Sequence, residues 1–218
     1  AGRGRWATHA SSVTEGSHRV TRSATVRCVD LHEWMIADFA SMRGKLFDSV
    51  LRLVRAERWH EQADGGGSTL AGLLLHIARH QDLAVNVVIR NHEPLFAAHC
   101  AALGLTHAGP GVGLAEREDR ATAALVSPEA VLHYTTDVFD TAAAWMSALG
   151  SMALDIEPNT AYRLTHRAGL DADKLPWLYS MWEGKALWWF VQWPVIGHGH
   201  AHVGEAISLR NRMGLSPF

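Results

Sequence analysis

The chain has 218 residues, of which 48% are hydrophobic and 19% are charged, and its formal net charge is -2 at pH 7. This composition is typical of a folded globular domain and excludes a wholly disordered chain. The small net charge gives no reason to expect binding to nucleic acid or to an anionic membrane. Because the 2 cysteines form no CxxC motif, we expect no disulfide framework and a reducing, cytoplasmic location. The longest apolar run, ALWWFVQWPVIG, is shorter than the roughly 20 residues of a membrane span, so we expect a soluble protein.

The N-terminal segment differs from the rest of the chain. Residues 1–28 are rich in Arg, Ser and Thr and lack the apolar stretch of a secretory signal, which predicts a flexible tail, with a transit peptide as the weaker alternative. Residues 29–218 are predicted to form a single domain. From Asp30 to about Arg55, apolar residues recur every three or four positions, and this spacing predicts a long amphipathic helix.

A second helix is predicted after the break ADGGGS. Ser68 is a candidate N-cap, and the helical pattern runs to about Arg90. The segment NHEPLFAAHCAALGL predicts a turn at Pro94 and one short helix that ends at Gly104. The following THAGPGVG has the Gly and Pro content of a connecting loop.

The third long helix is predicted to begin after Ser127, because a capping residue is followed by Pro128 at the first helical position. Its apolar pattern continues to Gly150. Residues 151–184 contain several Pro, Gly and Asp breaks and predict an irregular crossover, with one short helix over about 176–181.

The last helical pattern runs over about 185–213 and ends at Gly214. Pro194 lies inside it, so the helix is expected to start just before this residue or to bend there. Four long helices and one long connection predict an all-α fold of the helical-bundle type.

The segment HGHAHVGE carries 3 of the 14 histidines. An α-helix turns about 100° per residue, so His198 and His202 lie about 40° apart on one face, while His200 points to nearly the opposite side. The first two follow the spacing of the apolar stripe and are therefore predicted to face inward. Buried imidazoles need polar partners, and either a divalent metal ion or ordinary hydrogen bonds would supply them.

A third ligand is predicted on the second helix. His76 interrupts the otherwise apolar run LAGLLLHIA and is expected to face the HxxxH pair of the last helix. Three inward imidazoles leave one coordination position open, which is typical of a catalytic zinc site. For each histidine taken singly, a hydrogen-bonded core residue is the alternative.

His80 follows His76 by one turn, which allows a second model with four histidines and two metal ions. Such sites add bridging carboxylates, and the second helix offers none before Asp82, so we favour the mononuclear site. His166 lies in the crossover, within possible reach of the site. The other histidines lack mates at ligand spacing and are predicted to be surface residues, among them His9, His18, His92, His99, His107 and His133.

The segments STLAGLLLHIARHQD and GHGHAHVGEAISLRNRMGL together resemble the DinB/YfiT-like superfamily of metal-binding proteins. Its pattern HxxxHxGE, followed by an arginine-containing helix and a Gly-Leu end, is matched by His198, His202, Gly204, Glu205, Arg210, Gly214 and Leu215. The resemblance implies an up-down-down-up four-helix bundle with a long crossover, and often a homodimer. It also implies a site for zinc, nickel or another divalent ion at His76, His198 and His202. The superfamily includes mycothiol-dependent maleylpyruvate isomerase and bacillithiol or mycothiol S-transferases.

We therefore expect a mononuclear metal enzyme, with zinc the first choice, that uses a low-molecular-weight thiol such as mycothiol to attack a small electrophile. Glu205 is expected to orient a ligand imidazole or to move a proton, with a solvated glutamate or an ion pair to a nearby arginine as the alternative. A metal-dependent hydrolase and a non-catalytic binding bundle remain open. Tryptophans near the start of the last helix are candidates to line the approach to the metal, with core filling as the favoured alternative for each one taken singly: Trp182, Trp188, Trp189 and Trp193.

Overall fold

The computed structural model describes residues 30–63, 66–115, 122, 124–149 and 154–217. The predicted tail over 1–28 lies outside these ranges. The described residues form helices and loops without any strand, which confirms the prediction of an all-α fold. None of the helices in these ranges has both the length and the apolar character that crossing a membrane requires.

The first helix, α1, spans Leu31–Leu46 and continues as π-helix over Phe47–Leu51. Asp30 caps it, because its side chain accepts a hydrogen bond from the backbone N–H of His32 at 3.2 Å. Most of the predicted apolar stripe is buried, namely Met35, Phe39, Met42 and Leu46, whereas Leu31 at its start is exposed.

Helix α2 spans Leu70–Asp82 and continues as π-helix over Leu83–Ile89. Its N-cap is Thr69, whose hydroxyl accepts from the backbone N–H of Gly72 at 3.1 Å, and not Ser68 as predicted. Every residue of α2 is buried, so the helix has no solvent face. This central position explains why polar side chains on α2 have specific partners inside the protein.

Helix α3 is shorter than predicted and spans only Phe96–His99. The chain then passes through turns, and Gly104 adopts a left-handed conformation with φ 75°. Helix α4 spans Pro128–Ala148, with Ser127 as the predicted N-cap and proline in the first turn.

The crossover contains two helices where one was predicted. Helix α5 spans Thr160–Ala168, begins at the capping residue Asn159 and ends at left-handed Gly169. It escaped prediction because it is short and mostly polar, and only two of its residues are buried. Helix α6 spans Pro176–Trp182, in agreement with the predicted short helix.

The C-terminal helical rod has three consecutive parts. Helix α7 spans Leu187–Phe190, a π-helical segment spans Val191–Gly197, and helix α8 spans His198–Arg212. Pro194 lies in the π-helical segment. Since proline cannot donate a backbone hydrogen bond, the wider π turn accommodates it without ending the rod.

The long helices pack around one buried core. Helix α2 contacts α4 and α8, and α1 contacts the same two helices. Helix α5 packs against the π-helical segment that follows α2. This arrangement places the histidines of α2 opposite those of α8.

Candidate metal centre

Three histidines from α2 and α8 meet in the core. Nε2 of His76 lies 3.2 Å from Nε2 of His198, and Nε2 of His202 lies 3.1 Å from the same atom. Ligand atoms of the three residues all lie within 4.8 Å of one another. His76 and His202 are buried and His198 is partly buried. The structure thus brings together the three residues that were selected from the sequence.

The separations between the nitrogens fit a shared metal ion. For tetrahedral zinc, with bonds of about 2.0–2.1 Å to nitrogen, two ligand nitrogens lie about 3.3 Å apart. The two observed Nε2 separations, 3.1 and 3.2 Å, are close to this value. The ligand atoms of the third pair, His76 and His202, lie within 4.8 Å of one another.

Hydrogen bonds on the far side of two rings fix their tautomers. Nδ1 of His76 lies 3.0 Å from the carbonyl oxygen of Gly113, and Nδ1 of His202 lies 3.1 Å from a carboxylate oxygen of Glu205. A carbonyl and a carboxylate only accept, so in the neutral form of each ring Nδ1 carries the hydrogen and Nε2 presents a lone pair. A single hydrogen on Nε2 of His198 can serve only one of these lone pairs, whereas a cation takes up all of them. The tautomers therefore favour a metal site over a chain of histidine hydrogen bonds.

The electrostatics of the cluster favour the neutral form of two of its imidazoles, those of His76 and His198. Burial, followed by repulsion from His202, lowers the pKa of His76 to about 4. Burial and the neighbouring histidines lower the pKa of His198 to about 2, and Nδ1 of this ring is buried without a hydrogen-bond partner among the described residues. At neutral pH both rings are therefore in the uncharged form that binds metal ions.

His80 lies beside the cluster, but its Nε2 is hydrogen-bonded to a loop carbonyl and does not join the converging nitrogens. Its ring centre is 4.6 Å from that of His76 and 4.4 Å from that of His198. Its Nε2 donates to the carbonyl oxygen of Leu114 at 3.1 Å, and burial lowers its pKa to about 3. In the described part of the chain it is not among the residues whose ligand atoms converge, so the geometry favours three histidine ligands over four.

Glu205 lies behind His202, on the side of the ring away from the converging nitrogens. One carboxylate oxygen accepts from Nδ1 of His202, and the other accepts from the hydroxyl of Ser68 at 2.6 Å. The hydrogen bond with His202 lowers the pKa of Glu205, so the group is ionised at neutral pH. This geometry suits a residue that orients a ligand imidazole. The sequence does not reveal the contact with Ser68, because its local pattern predicts a helix cap at that residue.

Side chains of α2 also hold the loop over 110–114. The guanidinium of Arg79 donates to the carbonyl oxygens of Pro110 and Val112, the latter at 3.0 Å. The next two carbonyls of the loop accept from the two histidines of α2, as described above. Gly113 has φ 79°, and a Cβ atom at this position would lie 2.7 Å from Cγ of Arg79. The loop is therefore fitted closely to the helix that carries His76.

A pocket of about 420 Å³ opens beside the cluster. His76, His80 and His198 line it together with apolar and aromatic residues: Leu114, Ala115, Trp177, Met181, Trp182, Trp193 and Pro194. Two of the predicted tryptophans, Trp182 and Trp193, are thus at the pocket. Trp188 instead lines a separate pocket of about 380 Å³, and Trp189 packs on Phe190 with ring centres 5.2 Å apart. Trp177 was missed because α6 was treated only as part of the crossover.

The remaining histidines named from the sequence are distributed as follows. His200 points away from the cluster, and its Nε2 lies 3.1 Å from a carboxylate oxygen of Asp38 on α1. His166 is exposed, and its Nδ1 donates to the backbone carbonyl of Tyr162 in its own helix, so it does not reach the site. His9 and His18 fall outside the described residues.

His99 and His133 were predicted to be surface residues without mates. His133 is exposed as predicted, but His99 is not, and both have a partner. The side chain of His99 is only 12% exposed, and its Nε2 lies 3.0 Å from a carboxylate oxygen of Asp137. His133 approaches the same oxygen at 3.5 Å. The spacing of four between His133 and Asp137 was a signal in the sequence that could have revealed this cluster.

His76, His198 and His202 have donor atoms and separations that could hold a metal ion, and the rings of His76 and His202 each have a hydrogen-bond partner at the nitrogen that faces away from the cluster. Comparison of the chain with protein-family models, with curated proteins and with solved structures gave no match.

Proposed function

We propose that this protein is a metal-dependent enzyme of the DinB-like four-helix-bundle type, which joins the sulfur of a small thiol such as mycothiol to a small electrophile or isomerises the electrophile through it. The observation that carries the proposal is that the Nε2 atoms of three imidazole rings converge beside an apolar pocket. In two of these rings, Nδ1 is hydrogen-bonded to an acceptor. The packing of α1, α2, α4 and α8 around one core and the motif HxxxHxGE support the same assignment.

His76, His198 and His202 would hold the ion, with zinc as the first candidate and nickel as the second. A divalent ion with three imidazole ligands and an open position lowers the pKa of a thiol or water bound there. The protein's own contribution is orientation. The carbonyl of Gly113 and the carboxylate of Glu205 fix two of the rings, and a ligand held in this way needs little reorganisation when it binds.

The thiol is expected to come from a small molecule. Burial raises the pKa of the Cys100 thiol, so this side chain is protonated at neutral pH and is a poor nucleophile. It also does not line the pocket beside the histidines. Cys28 lies outside the described residues.

The pocket suits a small electrophile with an apolar or aromatic part. Its volume of about 420 Å³ is within the range of small-molecule sites. Trp177 and Trp193 are each 38% exposed, so their ring faces remain available for a ligand. Trp182 is buried and packs on both His80 and Phe190, and it therefore forms a fixed wall.

Metal content provides the first test. Untagged protein is expected to contain one equivalent of zinc or nickel bound by His76, His198 and His202. The variants His76→Ala and His202→Ala should each lack this equivalent. His200→Ala is the matched control, because this histidine lies on the same helix but faces Asp38. Retention of that equivalent in both cluster variants would exclude the proposed site.

Turnover provides the second test. Metal-loaded protein is incubated with an electrophile and a thiol, and with the same electrophile in water alone. Thiol-dependent consumption of the electrophile is expected. Consumption at the same rate without thiol would identify a hydrolase, and bound metal without any turnover across a panel of electrophiles would identify a non-catalytic metal-binding protein.

A further inference from the structure

A second cluster of metal-ligand types lies on α3 and α4, away from the site described above. It consists of His99, His133 and Asp137, whose ligand atoms all lie within 4.8 Å of one another. None of these residues lines the pocket beside His76 and His198. We infer that this cluster binds a divalent cation of the zinc class, and that the ion fastens the end of α3 to α4.

The donor set and its spacing support a cation of this class. Two imidazoles and a carboxylate are a common combination for zinc, nickel or iron(II), whereas calcium and magnesium prefer oxygen ligands alone. One oxygen of Asp137 lies 3.0 Å from Nε2 of His99 and 3.5 Å from Nδ1 of His133. These values bracket the separation of about 3.3 Å between two ligand atoms of a tetrahedral zinc site.

The cluster is held partly in place before any ion binds. His133 and Asp137 are one turn apart on the long helix α4, so their side chains project on the same face. His99 is largely buried, and its ring centre lies 5.2 Å from that of Tyr134. The position of the His99 ring is therefore restricted by its packing. Binding of an ion would mainly require His133 and Asp137, which are more exposed, to adjust toward it.

Solvent can reach the cluster from one side. The side chain of His133 is 70% exposed and that of Asp137 is 40% exposed. A cation can enter without opening the core, and water can complete its coordination. The same exposure predicts a weaker affinity than at the buried three-histidine site, because two of the three donors lose side-chain freedom when the ion binds.

A link at this point would complete the attachment of α3. The helix has only four residues and is too short to be stable alone. Its beginning is held by Asp82, whose carboxylate accepts from the backbone N–H of Phe96 at 2.9 Å and from the hydroxyl of Tyr134 at 2.8 Å. His99 is the last residue of α3, so an ion shared with Asp137 would hold the other end.

The test is zinc binding by the full chain, with zinc itself as the probe. Wild-type protein is expected to bind two equivalents, and the double variant His76→Ala/His202→Ala is expected to retain one. Adding His133→Ala or Asp137→Asn to this double variant should remove the remaining equivalent. His166→Ala is the control, because it removes an exposed histidine that bonds only to its own helix.

Thermal unfolding of the same proteins provides a second readout. Zinc should raise the melting temperature of His76→Ala/His202→Ala, and His133→Ala should abolish this rise while leaving the melting temperature without zinc nearly unchanged. If the double variant binds no zinc, or if its zinc survives both His133→Ala and Asp137→Asn, the inference is wrong. The inference does not rest on the proposed function. One further outcome separates the two sites. If wild-type protein binds a single zinc, and this zinc is lost in His133→Ala but kept in His76→Ala, the result would overturn the proposed function and support this site.

Discussion

Glu205 accepts a hydrogen bond from Nδ1 of His202 at 3.1 Å, three residues before it on α8. The bond fixes which nitrogen of His202 carries the hydrogen, and so it determines that Nε2 faces His198. Glu205 is itself held by Ser68, which immediately precedes the N-cap of α2. The orientation of one ligand on α8 therefore depends on a contact with the start of the opposite helix.

Glu205→Ala is predicted to weaken metal binding by about 10–100-fold, which is typical for the loss of a partner behind a ligand histidine. Ser68→Ala should have a smaller effect in the same direction, because Glu205 keeps its bond to His202. Competition with a chromophoric chelator measures both affinities. Glu129→Ala, an exposed change on α4, is the control. Equal affinities of Glu205→Ala and wild type would show that the carboxylate does not orient the ligand.

The number of histidine ligands can be tested by replacing His80 or His76, which lie one turn apart on α2, with glutamine. His80→Gln is predicted to retain the metal of the cluster, because the glutamine amide can still donate to the carbonyl of Leu114. His76→Gln should lose it, with a decrease in affinity larger than the roughly 10–100-fold expected for the loss of a partner behind a ligand histidine. Elemental analysis after dialysis distinguishes the two variants. Loss of metal in both would indicate a four-histidine site.

The stability of the metal-free protein is predicted to depend on pH. Burial lowers the pKa of His76 to about 4, that of His80 to about 3 and that of His198 to about 2, whereas an unfolded histidine titrates near pH 6.5. Above that pH both states are neutral and the full stability is present. As the pH falls below it, the unfolded state takes up protons that the folded state does not, so the free energy of unfolding decreases. The slope is at most about 1.4 kcal/mol per pH unit for each group.

Urea denaturation of chelator-treated protein at about pH 7.5, 6 and 5 measures this dependence. His80→Phe should show a shallower slope, because it removes one of the three groups. A free energy of unfolding that stays constant between about pH 7 and 5 would contradict the pKa values of the cluster.

Helical geometry was sufficient to identify the core of the candidate site. The turn of about 100° per residue separates His198 and His202 from His200, and the structure places His200 against Asp38 instead. His76 could be selected because a polar residue inside an apolar helix must have a partner. These inferences depend on neighbours within one helix, whose relative positions are regular.

Contacts between a helix and a loop were not predictable in the same way. The carbonyl groups of Gly113 and Leu114 bind the two histidines of α2, but every residue has a carbonyl and no side-chain pattern distinguishes these. The choice of Ser68 as helix cap failed for a related reason. Two adjacent hydroxyl residues fit the local pattern equally well, and only the distant Glu205 determines which of them caps the helix.

Two glycines of α8 provide the last prediction, because their surroundings differ. A Cβ atom on Gly199 would lie 2.1 Å from the sulfur of Met42 on α1, and both residues are buried. A Cβ atom on Gly204 would have no neighbour within 4 Å. Close approach of α8 to α1 therefore requires glycine at the first position and not at the second.

Gly199→Ala is predicted to lower the free energy of unfolding by about 1–3 kcal/mol, the usual cost of overpacking a core, and to weaken metal binding because α8 carries two of the ligands. Gly204→Ala should instead raise it by roughly 0.5–1 kcal/mol, because alanine favours the helix over glycine. Met42→Ala combined with Gly199→Ala makes room for the added methyl group and should restore part of the metal affinity. Urea denaturation and chelator competition give both quantities. If Gly199→Ala and Gly204→Ala had the same free energy of unfolding and the same metal affinity, the close packing of α8 on α1 would not be what positions His198 and His202.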